Sequence, residues 1–166
     1  QLYKETGRIS KLKATRSVSR SGFVTITLRD SFRNRYRNSN KEAWGRFESW
    51  LMAKNVDVEV IQECEQAPLD LEYRMSLYCA ADMNFGVANG PMSLCIFSEA
   101  PYMTWNWFDA GGEKVQYDQR TLMAKQGFPE GSQFAFRNER QLLVYEKDDF
   151  ENLVRGYEQM MLKAAA

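Results

Sequence analysis

The chain has 166 residues, 44% hydrophobic and 13% aromatic, with 22 basic and 22 acidic side chains and no histidine. That composition fits one globular domain with a real core and excludes a disordered chain; no apolar run approaches the roughly 18 residues of a bilayer span, and no signal-peptide pattern opens it. Without histidine, the commonest general base and metal ligand is missing, and with it every Ser-His or Cys-His arrangement.

Residues 1–22 lack a sustained apolar period and end in Ser19-Arg20-Ser21-Gly22, which reads as a basic leader or linker before a domain over 23–166. Ten basic residues fall within 1–37, against only Glu5 and Asp30. Such a segment either contacts phosphates or an acidic partner, or is a solvated leader. No nucleic-acid-binding signature accompanies the charge.

Phe23 to Leu28 is short and rich in β-branched residues, a strand, and a basic polar loop over 29–38 follows it. Ser39 with Glu42 makes a capping box, after which Ala43, Phe47, Trp50 and Leu51 recur at helical spacing as far as Asn55. Residues 56–61 alternate as a second strand. Pro68 opens a helix with Leu71, Met75, Tyr78 and Cys79 on one face. Residues 83–87 form a third strand, which runs into Asn89-Gly90-Pro91 and a short buried helix to about Phe97. A fourth strand covers 102–107, a helix covers 118–125 between loops at Gly111-Gly112 and Pro129, and a last strand covers 142–145. Asp148 or Asp149 then caps a helix whose inner face is Phe150, Leu153, Val154, Tyr157 and Met161. The cysteines, Cys64, Cys79 and Cys95, are odd in number and widely spaced. They fit reduced core residues of a cytoplasmic protein better than disulfides or a metal site.

Strands and helices alternating at this spacing predict an α/β fold, a Rossmann-like three-layer sandwich around a mostly parallel sheet. Such sheets bind ligands beyond the carboxyl ends of their strands, where the winding reverses. Two loops there carry suitable chemistry, 29–39 and 88–91. Proline suits the first helical turn, Gly90 removes a side chain from the approach, and a helix N-terminus attracts anions, so Asn89, Gly90 and Pro91 form a candidate diphosphate seat; the same tripeptide is also an ordinary turn.

Arg29, directly after the first strand, either pairs with phosphate or forms an ion pair with Asp30 or Glu63. Ser39 and Asn40 add a hydroxyl and amide donors. Arg33, Arg35 and Arg37 read as solvated, with one of them within reach of a ligand. Glu63 and Glu65 follow the second strand, where an acidic side chain can hold a ribose, though Glu63-Cys64-Glu65-Gln66 also reads as an exposed loop. No Gly-x-Gly-x-x-Gly or Walker sequence is present, which disfavours NAD-type and P-loop binding. Trp105 and Trp107 are the aromatic candidates for base stacking.

The succession of a strand and Arg29, then Arg37-Asn38-Ser39-Asn40 at a helix start, Ala80-Ala81-Asp82 before a strand, and Gly86-Val87-Ala88-Asn89-Gly90-Pro91 resembles the C-terminal, donor-binding half of a GT-B glycosyltransferase. Its layout is most similar to heptosyltransferase-like enzymes. The resemblance implies glycosyl transfer from a nucleotide-activated sugar, with no cofactor and no obligatory metal. It also implies an N-terminal acceptor domain or partner chain that supplies the catalytic base. The turn Ala88-Asn89-Gly90-Pro91 departs from the acid- or Ser-rich turn often found there. Two other classes stay open: a non-catalytic nucleotide- or phospho-ligand-binding module, and an interaction domain that uses the basic leader.

Overall fold

In a computed structural model of the chain, residues 9–32, 35–62, 70–106, 121 and 124–165 are described. Their elements run β1 (Phe23–Leu28), a 3₁₀ turn (Arg35–Arg37), α1 (Lys41–Ala53), β2 (Asp57–Gln62), α2 (Leu71–Ala80), β3 (Met83–Val87), α3 (Met92–Ile96), β4 (Tyr102–Trp105), β5 (Gln141–Leu143) and α4 (Phe150–Ala165). Each strand boundary lies within two residues of its sequence expectation. α1 stops at Ala53 because Asn55 adopts a left-handed conformation (φ 60°), from which the N–H groups of 54–56 turn back to the carbonyls of Leu51 and Met52. Pro68, Trp107, 118–120 and 122–123 lie outside the described residues, while 121, 124 and 125 are helical.

The sheet has the order β2-β1-β3-β4-β5, and every pairing is parallel. This is the doubly wound 2-1-3-4-5 order, whose winding reverses between β1 and β3. α1 and α4 pack together on one face and α2 and α3 on the other, which makes the three-layer, Rossmann-like sandwich.

Alternation along the strands sorts the core. Val24, Ile26, Phe85, Val87, Met103 and Trp105 point to the α1/α4 face and meet Trp44, Phe47, Leu51 and Leu153. The rings there pack edge to face, Trp44 on Trp105 at 5.7 Å and Phe47 on Phe85 at 5.5 Å. The opposite face is partly polar. Asn84 donates to the carbonyls of Tyr78 (2.9 Å) and Pro101 (2.8 Å) and accepts from Thr25 Oγ1 (2.7 Å), so the amide is satisfied although fully buried. At the β5 edge, the Gln133 amide brackets Leu143, donating to its carbonyl (2.8 Å) and accepting from its N–H (2.9 Å).

Two helices keep most of their expected inner faces, Met75 and Tyr78 in α2 and Phe150, Leu153, Val154 and Tyr157 in α4, and depart from the rest. In α2, Leu71 and Cys79 are exposed, and the inner face comprises Arg74, Met75, Leu77 and Tyr78. Arg74 occupies an inner position that a purely apolar period skips. In α4, Met161 is exposed, and Leu153, Gly156 and Met160 face inward. A Cβ on Gly156 would stand 2.7 Å from the Trp105 ring and 3.0 Å from Met103, so glycine sets how closely α4 approaches β4. Cys95 is buried as expected, and burial pushes its thiol well up; Cys64 lies outside the described residues.

Residues 9–22 run without helix or strand along α2 and α3. Leu12 N–H donates to Phe97 C=O (2.7 Å), Lys11 Nζ to Ser98 C=O (2.9 Å), and Arg16 pairs with Asp70 (2.8 Å). Arg20 bridges Asp57 and Glu59 on the edge strand and covers the Phe23 ring at 4.4 Å. These cations therefore neutralise carboxylates of the same chain.

Gly156→Ala is expected to lower stability by about 1–2 kcal/mol: overpacking against Trp105 outweighs the roughly 1 kcal/mol gained in helix propensity. A fall in the urea midpoint at constant slope checks it. A second expectation concerns pH. Thr15 hydrogen bonds hold Glu72 below its ordinary 4.5, and the Tyr73 N–H, then Arg16, hold Asp70 below its ordinary 3.8. Carboxylates lowered in the folded state stabilise above their unfolded pKa and lose that contribution as pH falls through the folded one. The contacts of Thr15 and Arg16 with Glu72 and Asp70 are therefore strongest at neutral pH and weaken on strong acidification. An NMR titration from pH 7 to pH ~2.5 should show the Thr15 amide leaving its hydrogen-bonded shift before global unfolding; an unmoved amide would count against it.

Candidate functional site

β1 ends at Leu28, and the chain then builds a loop closed on itself by two pairs of bonds. Arg29 N–H donates to Ser39 Oγ (2.8 Å) and Ser39 N–H donates back to Arg29 C=O (3.0 Å). One step out, Ser31 N–H donates to Asn38 Oδ1 (2.8 Å) and Asn38 Nδ2 to Ser31 C=O (3.1 Å). Lys41 and Asp30 add an ion pair at 2.6 Å. Ser39 is thus a buried clasp at the loop's base, not the helix cap expected. The cap is Asn40, whose Oδ1 accepts from Ala43 N–H (3.3 Å).

A second tie comes from across the sheet. Asp148, in the loop after β5, is buried, and its Oδ2 accepts from Asn40 N–H (2.8 Å) and Trp44 Nε1 (2.7 Å). Its Oδ1 accepts from Asn106 Nδ2 (2.6 Å), just past β4, where Asn106 takes the left-handed conformation (φ 53°) that asparagine tolerates. Asp149, its neighbour, caps α4 through Asn152 N–H (2.9 Å). One carboxylate thereby fixes three chain segments along the carboxyl-end rim.

The two loops singled out in sequence meet. Arg37 Nη2 donates to Ala88 C=O at 3.1 Å, which draws the β1–α1 loop onto the Ala88–Pro91 corner at the β1/β3 reversal. Arg37 was one of three arginines expected to be solvated; it is half-buried, while Arg35 is exposed. Arg29 is buried at the base of the same loop.

The corner differs from the picture of bare donors. Asn89 Oδ1 accepts from Met92 N–H (2.9 Å), Ser93 N–H donates to Gly90 C=O and Leu94 N–H to Pro91 C=O (3.0 Å each), and Pro91 has no N–H. The first turn of the five-residue α3 thus spends its donors internally. One donor of the corner is left over, the Asn89 side-chain Nδ2, which is buried and without a partner among the described residues. It also offers space at Gly90, where a Cβ would meet nothing within 4 Å. Gly86 serves the fold instead: a Cβ there would stand 2.9 Å from Thr27 C=O.

Arg29, Ser39, Asn40, Asn89, Gly90 and Pro91 therefore share the carboxyl-end rim, joined by Arg37 and Asp148. Glu63 and Glu65 lie outside the described residues, as does Trp107. Trp105 is fully buried against Trp44 and has no face for a base. Sequence reasoning missed Asp148's role at the rim and missed Arg74. Arg74 precedes Tyr78 by four residues, and an arginine one turn from a buried tyrosine on the same helical face was the available signal. Among the described residues, no group of three or more His, Cys, Asp or Glu is placed to hold a metal ion, and no helix is long and apolar enough to cross a membrane.

Comparison with protein-family models, curated proteins and solved structures finds no match to this chain.

Truncating Asp148 leaves three donors from Asn40, Trp44 and Asn106 unsatisfied. Asp148→Ala is expected to cost about 3 kcal/mol or more, since each buried orphan costs roughly 1–3 kcal/mol. Asp148→Asn keeps one acceptor oxygen and should cost less, about 1–2 kcal/mol. Equal urea midpoints for wild type and Asp148→Ala would contradict the role given to this carboxylate.

Proposed function

We propose that the chain is the donor-binding domain of a glycosyltransferase, seating the diphosphate of a nucleotide-activated sugar at the β1/β3 reversal. The observation that carries this is the Arg37–Ala88 hydrogen bond, which holds a basic loop against a glycine corner open to solvent. The unpartnered Asn89 Nδ2 and the buried Arg29 at the same rim support it. An anion at a topological switch point also follows the general behaviour of open α/β sheets.

In the proposed reaction the bond between the sugar's anomeric carbon and the diphosphate oxygen breaks, and the nucleoside diphosphate departs with the electron pair. The acceptor hydroxyl forms the new bond and gives its proton to a base. Arg29, Arg37 and Asn89 Nδ2 stabilise the charge growing on the leaving group, as preorganised donors do where water is excluded. The base and the acceptor site belong to an N-terminal domain or partner chain. A non-catalytic phospho-ligand module would use the same rim. The interaction reading is less favoured, because Lys11, Arg16 and Arg20 are already occupied within the chain.

Calorimetric titration with UDP, GDP, ADP and CMP tests this on wild type, Arg37→Ala and Gly90→Val. Valine at 90 meets no protein atom near its Cβ, so the variant folds while its side chain intrudes on the ligand. The expected result is saturable binding of one nucleotide, weakened at least about tenfold, some 1.4 kcal/mol, in both variants. Wild type that is folded and binds none of the four would overturn the donor site in this chain.

A further inference from the structure

Arg74 is only 6% exposed, and its Nη1 is buried without a hydrogen-bond partner among the described residues. Its Nη2 reaches the Gln62 carbonyl at 3.5 Å, the outer limit of a hydrogen bond. The carboxylates nearest in sequence, Asp70 and Glu72, are directed to Tyr73 N–H and Arg16 and to Thr15. Arginine does not escape such a position by losing its proton. A permanently charged fork held out of water with an open donor is costly unless an anion completes it.

Its location gives the anion's address. Gln62 closes β2 and pairs in register with Leu28, the last residue of β1, so the guanidinium sits at the carboxyl-end rim one strand from Arg29. One turn below Arg74, Tyr78 Oη lies 2.8 Å from Thr27 Oγ1. Arg29, the first residue after β1, is also buried, so two buried arginines lie at this rim, while Arg37 and Asn89 lie on the other side of β1, toward β3. β2 and β3 flank β1 and so lie roughly 10 Å apart, and a ligand met from both sides must be longer than a single phosphate.

We propose that Arg74 is a ligand-binding residue, and that the ligand of this rim bears two adjacent anionic groups, as a diphosphate does, one met by Arg37 and Asn89 and the other by Arg74 with Arg29. This rests on an anion at the β1/β3 reversal, as proposed above, but not on glycosyl transfer. It goes beyond that reading by assigning α2, through Arg74, to the site.

The test uses inorganic pyrophosphate and orthophosphate as probes, titrated into wild type, Arg37→Ala, Arg74→Met and Arg74→Lys, with the ligand-free melting temperature of each. Pyrophosphate should bind wild type at least about tenfold more tightly than orthophosphate. Arg74→Met should lose at least about tenfold in pyrophosphate affinity, and Arg74→Lys, which keeps the charge without the fork, should fall between. Ligand-free Arg74→Met should melt at the wild-type temperature or a few degrees above it, since methionine removes an uncompensated charge. A merely structural Arg74 would instead show a lower melting temperature and unchanged pyrophosphate affinity, which would overturn the inference. Pyrophosphate binding lost in Arg37→Ala but retained in Arg74→Met would also overturn it and leave the switch-point site standing. Pyrophosphate binding that depends on Arg74, with no nucleotide bound, would support it and reject the nucleotide-sugar donor.

Discussion

The arrangement of the rim depends on one buried carboxylate receiving three hydrogen bonds. Asp148 is tolerable inside the protein because Asn40 N–H, Trp44 Nε1 and Asn106 Nδ2 replace the water it has lost. Those donors come from the start of α1 and from the chain just after β4, and Asp148 itself follows β5. The bond to Asn40 pins the far end of the 29–40 loop, and the Arg29–Ser39 clasp pins its near end. Only a loop fixed at both ends brings Arg37 to the Ala88 carbonyl in a defined orientation.

The fold was largely legible because its local signals agree. β1, β2 and β4 are rich in β-branched or aromatic residues, and α1, α2 and α4 open on Asn or Asp caps. What alternation and periodicity register is apolar burial, and they fail where the inward residue is not apolar. Arg74 and Gly156 are both of that kind: one is a cation on an inner face, the other a position with no side chain at all. Their neighbours Cys79 and Met161 were consequently given the inward places. The site was legible to the extent that loop position depends on topology. Which groups hold one another there was not. Ser39 and Asn40 exchange the expected roles because hydrogen-bond pairing is settled by the three-dimensional path of the loop, and Asp148 lies 108 residues from its Asn40 partner.

Buried polar groups are met in two ways. Asn84 and Gln141 use their side-chain amides to satisfy backbone carbonyls near the amino ends of the strands. Among the described residues, Arg74 Nη1 and Asn89 Nδ2 at the rim are left open, as are Tyr102 Oη and Thr104 Oγ1 in β4. Open buried donors are costly to the protein, and an anion that met them would couple its binding to folding stability at this edge.

The Gln133 amide has a consequence of its own. A parallel sheet ending in a three-residue strand exposes main-chain groups that another chain could extend by adding a strand of its own. By occupying both the N–H and the C=O of Leu143, the Gln133 side chain acts as a false strand one residue long. It closes this edge at Leu143 without another β element, leaving that residue no main-chain group for a strand of another chain to pair with.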